Sequence, residues 1–121
     1  MKWWNDLWLN EGFATFMENQ ALDYLFPGWD MWSQFTAGSG ASAKALDALS
    51  STHPLHSDVA DVQSTAIIEA QFDAISYEKG GSVMRMLTQL LGENVTFAGL
   101  STYLNVSFFM PLTFMFQLRS M

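Results

Sequence analysis

The sequence predicts an all-α fold, and three features carry that prediction. Apolar residues recur at spacings of three and four over residues 4–26 and again over 76–91. Proline and glycine stand where those periods stop. Every segment with a clear apolar period has the helical one.

The first helix is expected over residues 4–26, with Leu7, Trp8, Ala14, Met17, Ala21, Leu22 and Leu25 as its apolar positions, and Pro27-Gly28 ends it. A second is expected over 30–49. Trp29, Trp32 and Phe35 crowd its start, and Gly38-Ser39-Gly40 weakens its middle, since glycine costs about 1 kcal/mol against alanine in a helix. Residues 50–66 lack periodicity, carry Pro54 and read as a loop long enough to be functional or mobile. A short connector is expected at 67–73. A third helix, 76–91, places Val83, Met86, Leu87, Leu90 and Leu91 on one side and stops at Gly92. A fourth covers 96–104. From 106 to 121 the chain turns into an apolar tail without helical or strand period, interrupted by Pro111 and too short to span a bilayer, which takes about 20 apolar residues.

Composition narrows the function. Half of the 121 residues are hydrophobic, so there is material for a core. Five Trp and ten Phe are more than so small a domain hides, because small domains bury a smaller share of their surface. Some of these rings are expected to face other parts of a larger domain. Net charge is −7, which leaves no basic patch for nucleic acid or an anionic membrane. The absence of cysteine excludes disulfides, thiolate zinc sites and cysteine nucleophiles. Acids interrupt the N-terminal apolar run too early for a signal peptide. Two glycosylation tripeptides, Asn94-Val95-Thr96 and Asn105-Val106-Ser107, permit an extracellular setting without requiring one.

Glu11 is the first candidate site residue. On a helix, Thr15 and Glu18 share its face. A carboxylate at the edge of an aromatic-rich helix needs a partner, because burying an unpaired charge is costly. A zinc ion, a salt bridge or water would each serve. Glu18 fits either an acceptor that orients a ligand or an ordinary surface acid. Taken alone, Tyr77 reads as a half-buried residue at a helix start. Lys79 reads either as a cation that neutralises acids near the site or as a solvated one. Gly80 and Gly81, inside a helix, point to close backbone packing.

The run WWNDLWLNEGFATFME, with Asn10-Glu11-Gly12-Phe13-Ala14 at its centre, resembles the helix that follows the HExxH motif in zinc aminopeptidases of the aminopeptidase N family, the gluzincins. A second stretch, Phe72-Asp73-Ala74-Ile75-Ser76-Tyr77-Glu78-Lys79-Gly80-Gly81, resembles the segment that carries the family's catalytic tyrosine, and Val83–Leu87 continues it. Weaker likeness covers 48–54 and 96–105. The resemblance implies a partial zinc aminopeptidase catalytic domain over 1–105, and then a divergent tail over 106–121. The fold it implies is the helical part of a thermolysin-like catalytic domain, incomplete in this chain. Glu11 would be a zinc ligand and Tyr77 the phenol that stabilises the oxyanion, on peptide substrates.

The family's HExxH supplies two histidine ligands and a general base, and is expected shortly before Trp3; the Gly-x-Met-Glu-Asn segment that binds the substrate amine lies further upstream. Neither is in this chain, so zinc has one of its ligands here and lacks the two histidines. His53 and His56 do not replace them, because Pro54 opposes the helix on which a zinc-binding pair sits four residues apart. The expectation is therefore a metallo-aminopeptidase by family and an inactive chain in isolation. The alternatives are a non-catalytic truncated product, a helical module that pairs with another chain through exposed aromatics, and a plain helical scaffold. The family includes membrane-anchored and intracellular members, so localisation stays open.

Overall fold

In the computed structural model, which describes residues 4–109, a 3₁₀ turn at Trp4–Asp6 leads into α1, Leu7–Leu25. A second 3₁₀ turn, Pro27–Trp29, comes next, and Asp30, in the left-handed region at φ 48°, swings the chain into α2, Met31–Ala37. The expected second helix is interrupted where its glycines sit: α2 ends at Gly38, and α3 runs Ser39–Asp47. The expected connector at 67–73 is instead largely helical, and it begins inside the expected loop. Ser64 caps α4, Thr65–Ala70, by accepting the Ile67 N–H at 3.3 Å. A π-helical turn, Ile75–Lys79, opens the third expected helix and passes into α5, Gly80–Leu91. The last helix, α6, spans Glu93–Phe109, longer at both ends than the period over 96–104 indicates, and so enters the expected tail; residues 110–121 lie outside the described residues. Among the described residues there is no strand, and no helix is long and apolar enough to cross a membrane.

The chain divides into two units, Met1–Met86 and Leu87–Met121. In the first, α1 packs on the π turn and on α2, and α3 packs on α2 and the π turn. Leu7, Phe16, Trp32, Phe35, Ala43, Val62, Ile75 and Met84 are its buried apolar residues. Phe16 and Trp32 meet with ring centres 5.9 Å apart, and Phe35 meets Trp32 edge-on at 5.7 Å. The Arg85 guanidinium lies 4.5 Å above the Trp32 ring and donates to the Thr36 hydroxyl at 3.2 Å, which ties α5 to α2.

α1 buries only part of the face its apolar period indicates. Leu7 is buried and Trp8, Met17 and Leu22 are half-buried, but Ala14, Ala21 and Leu25 are exposed, and Gly12, Phe16 and Asn19, outside that set, are buried. Backbone proximity decides the matter. A Cβ on Gly12 would lie 2.6 Å from the carbonyl carbon of Gly80 and 2.7 Å from its Cα; one on Gly81 would meet the Thr15 methyl at 3.1 Å. Only glycine lets α1 and the start of α5 approach this closely. The packing expected at Gly80 and Gly81 is present, and Gly12 is its other half.

The long loop, residues 48–64, is fastened along its length. The Ser57 N–H donates to Asn5 O at 3.2 Å, and the Ser57 hydroxyl accepts from Gln71 Nε2 at 2.9 Å in a buried contact. Val62 is fully buried. His56 meets Asp6 at 2.7 Å.

In the second unit, Gly92 takes φ +83° between α5 and α6, a conformation that favours glycine. Its N–H closes α5 onto Thr88 O at 2.8 Å, and its carbonyl accepts the Thr96 N–H at 3.0 Å. Leu87, Leu90 and Leu91 on α5, and Val95, Tyr103, Leu104 and Val106 on α6, are exposed. Thr88 and Thr96 are buried instead.

Two glycine substitutions separate close packing from helix propensity. Gly12→Ala should destabilise the chain by about 1–3 kcal/mol, since its methyl meets backbone that cannot rotate away. Gly99→Ala, with nothing within 4 Å, should be neutral or stabilising by up to about 1 kcal/mol. Urea unfolding of the two variants measures the difference.

Candidate active site

Tyr77 stands in the middle of the π turn. The turn is defined by backbone bonds that reach five residues back: the Lys79 N–H donates to Ala74 O at 3.0 Å, and the Gly80 N–H donates to Ile75 O. A π turn carries one residue more than an α turn, so it shifts the next residues by about 100° around the helix axis. Gly80 then comes to lie against Gly12, and Tyr77 faces Glu11, the residue before Gly12.

The two candidate residues, 66 positions apart, thus come close enough for Glu11 to act on the phenol. The Tyr77 phenol is half-buried. Burial pushes its titration up first; a hydrogen bond to the Glu11 carboxylate and the negative charges of Glu11 and Glu78 push it further in the same direction. The phenol is therefore a proton-bearing donor at neutral and mildly alkaline pH. Glu78, beside it, is also raised, chiefly by burial. Glu18 is exposed on α1. Thr15, between Glu11 and Glu18, packs its methyl over Gly81.

Polar contacts grip both ends of the π turn. At its start, Asp73 Oδ1 accepts the Ile75 N–H at 2.9 Å and the Ser76 N–H at 3.3 Å. Its other oxygen lies 3.1 Å from His53 Nε2. At its end, Lys79 Nζ donates to Asp47 Oδ1 at 2.8 Å, so of its two readings Lys79 takes the one in which it pairs with an acid. Thr52 also donates to Asp47, at 3.2 Å. The Lys79 hydrogen bond is the largest influence on the Asp47 carboxyl and holds it below the ordinary carboxylate value.

Sequence reasoning does not single out Asp47 or Asp73. For Asp73 a signal exists: an acid three residues before Ser76 sits where a helix-capping side chain belongs. For Asp47 no local signal exists, because its partner lies 32 residues away.

Neither histidine joins Glu11. His53 is taken up by Asp73, and His56 by Asp6. Among the described residues no three of His, Cys, Asp or Glu converge on a point that could hold a metal ion. A catalytic zinc site takes about three protein ligands, so these residues do not make one by themselves.

The contact between Glu11 and Tyr77 has a titration signature. In the metal-free chain, Glu11→Gln removes a negative charge beside the phenol, so Tyr77 should ionise at lower pH than in the parent, with Tyr24 and Tyr103 unchanged. Ultraviolet difference titration, with Tyr77→Phe to identify the band, reads this directly. An unchanged Tyr77 titration would show that the two groups do not interact.

Comparison with known proteins fixes the family. The model of the peptidase family M1 domain matches residues 1–113. Human aminopeptidase N is 45% identical over 105 residues, which are 87% of this chain and 11% of that protein. A leucyl aminopeptidase of Saccharolobus solfataricus is 43% identical over 104 residues, 86% of this chain and 13% of that protein. Bovine aminopeptidase N is 41% identical over 115 residues, 95% of this chain and 12% of that protein. The chain thus spans only 11–13% of the length of these relatives. The family is zinc-dependent. With an all-helical structure and a family match over nearly its whole length, the chain belongs to peptidase family M1, as a segment of the helical part of its domain.

Proposed function

We propose that this segment serves a metallo-aminopeptidase that hydrolyses N-terminal residues from peptides, with Glu11 as one zinc ligand and Tyr77 as the donor to the transition-state oxyanion. The observation that carries the reading is that the π turn brings Tyr77 to the side of α1 that bears Glu11, near enough for the carboxylate to raise the phenol's titration. When bound, zinc acts as a Lewis acid toward the scissile carbonyl. The chain's own contribution is a carboxylate and a hydroxyl fixed in one place. Glu11 brings anionic oxygen of the kind zinc accepts. Tyr77 brings an O–H that donates where negative charge develops, and a preorganised donor of this type is worth about 2.7–4 kcal/mol of barrier. The remaining ligands, two histidines, come from outside this segment. Glu18 is assigned to the outer edge of the site, where an exposed acid can orient a ligand through water.

Exposed apolar groups support the placement in a larger domain. Tyr24 is 83% exposed, Phe26 and Trp29 stack at 4.5 Å in partly open positions, and Leu90 is 81% exposed. These surfaces are where the rest of such a domain packs.

A graft tests the assignment. The 105 residues of human aminopeptidase N that match this chain are replaced by this chain's own. The graft should bind zinc and release an amino-acid anilide. Glu11→Ala should lose the metal along with turnover. Tyr77→Phe should keep the metal and lose about 10²–10³-fold in kcat. A Glu11→Ala graft that retains zinc and rate, or a Tyr77→Phe graft with unaltered kcat, would remove the corresponding role.

A further inference from the structure

We propose that Asp73, held by His53, is a positioning residue for Tyr77, and that together with the Asp47–Lys79 pair it clamps the π turn on which the phenol stands. This rests on the reading of Tyr77 as the oxyanion donor.

The geometry is specific. Asp73 uses its two oxygens for two different tasks. Oδ1 takes the first free amides of the turn, those of Ile75 and Ser76, and so fixes where the turn starts. Oδ2 faces His53 Nε2 at 3.1 Å. The other ring nitrogen of His53, Nδ1, lies 2.8 Å from Pro54 O. Both ring nitrogens therefore face an oxygen, one on the Asp73 carboxylate and one on the loop's own backbone. Thus His53 ties the fastened loop to the carboxylate that caps the turn. The second grip is Lys79 on Asp47, which also holds Thr52, the residue before His53. Both ends of the five-residue turn are therefore held by one stretch of chain, Asp47–His53. Tyr77 lies midway, and its own N–H donates to Asp73 O at 3.1 Å.

The clamp has a reason to exist. A π turn is less favourable than the α-helix that competes with it, and it occurs chiefly where neighbouring structure holds it. Relaxation to a regular helix would turn the two ends of this segment relative to each other by about 100°, and Tyr77 between them would lose its present direction. Misplacement of a reacting group by about 1 Å can cost 10²-fold in rate. The hydrogen bonds of Asp73 go to His53 and to the amides of Ile75, Ser76 and Tyr77, so its effect on the site passes through the turn that carries the phenol.

The test uses the aminopeptidase N graft and the 121-residue chain itself. In the graft, Asp73→Ala should lower kcat by about 10-fold or more with KM within about twofold and zinc content unchanged. Asp73→Asn keeps a capping oxygen and should recover most of the loss. In a Tyr77→Phe background, Asp73→Ala should add little, because the effect passes through the phenol. In the chain itself, His53→Ala should speed hydrogen exchange at the amides of Tyr77–Gly80, while His56→Ala, which removes only the surface contact to Asp6, should not. Losses that multiply in the double variant, a loss confined to KM, or exchange unaffected by His53→Ala would overturn the proposal. If Asp73→Ala is harmless while Tyr77→Phe is damaging, the clamp falls and the role of Tyr77 stands. If Tyr77→Phe is itself harmless, the role of Tyr77 falls first.

Discussion

The backbone contact between Gly12 and Gly80 is the constraint on which the rest of the first unit depends. A helix normally meets its neighbour through side chains, at 8–10 Å between axes. Here a Cβ on Gly12 would come within 2.7 Å of two backbone atoms of Gly80, so the polypeptides themselves touch. That approach lets a short carboxylate on α1 reach a phenol on the π turn without either side chain being extended by an intervening layer. It also explains why α1 buries Gly12 and Phe16, which lie outside its apolar period. The contact selects the glycine side, and Phe16, four residues on, goes with it into the core against Trp32.

A glycine contact sets separation but not rotation. If the turn after Ala74 continued as α-helix, the residues that follow would be rotated by about 100°, and Gly80 would no longer face Gly12. Polar groups supply the missing restraint. Asp73 caps one end of the π turn, and Lys79 ties the other to Asp47. The Asp47–Lys79 pair is partly exposed on both sides, so its value lies in direction more than in energy. Because Lys79 depresses the Asp47 carboxyl, the pair contributes stability above the ordinary carboxylate value. That contribution is lost as pH falls through the depressed one.

Much of this is legible in the sequence, and the rest is hidden for a common cause. Helices show in the sequence because their signals are local: the period over 4–26, the stop at Pro27, the break that Gly38 makes. Glu11 and Tyr77 stand out because two long stretches resemble one family. Part of the buried face of α1 escapes the apolar period because Gly12 carries no hydrophobicity, and its value appears only when Gly80 arrives 68 residues later. Lys79 leaves pairing and solvation both open in the sequence for the same reason, its partner being the distant Asp47. Helix α4 reads as a connector because six residues cannot show a period, although Ser64 announces its start. The apolar side of α5 is a stripe as its period indicates, yet Met86, Leu87, Leu90 and Leu91 are exposed. A period reports that a face is suited to burial, and only another segment can bury it.

On the roles proposed for Glu11 and Tyr77, the work of the site divides between a rigid and an adjustable part. Glu11 lies within a 19-residue helix, so its carboxylate has little freedom to relocate. Tyr77 lies on a five-residue turn whose geometry has a close competitor in the regular helix. A ligand to a metal must be fixed before the ion arrives, and a long helix achieves that by itself. A donor to a developing charge must sit about 2.7–3.1 Å from an atom whose position depends on the substrate, and small rotations matter to it. Placing that donor on a π turn lets its direction be set by groups at the ends of the turn, apart from the helix that carries the carboxylate. The same two residues on one regular helix would be locked in a single relation. On two elements joined by a glycine contact, distance and direction are fixed by different parts of the chain, so each can change without loss of the other.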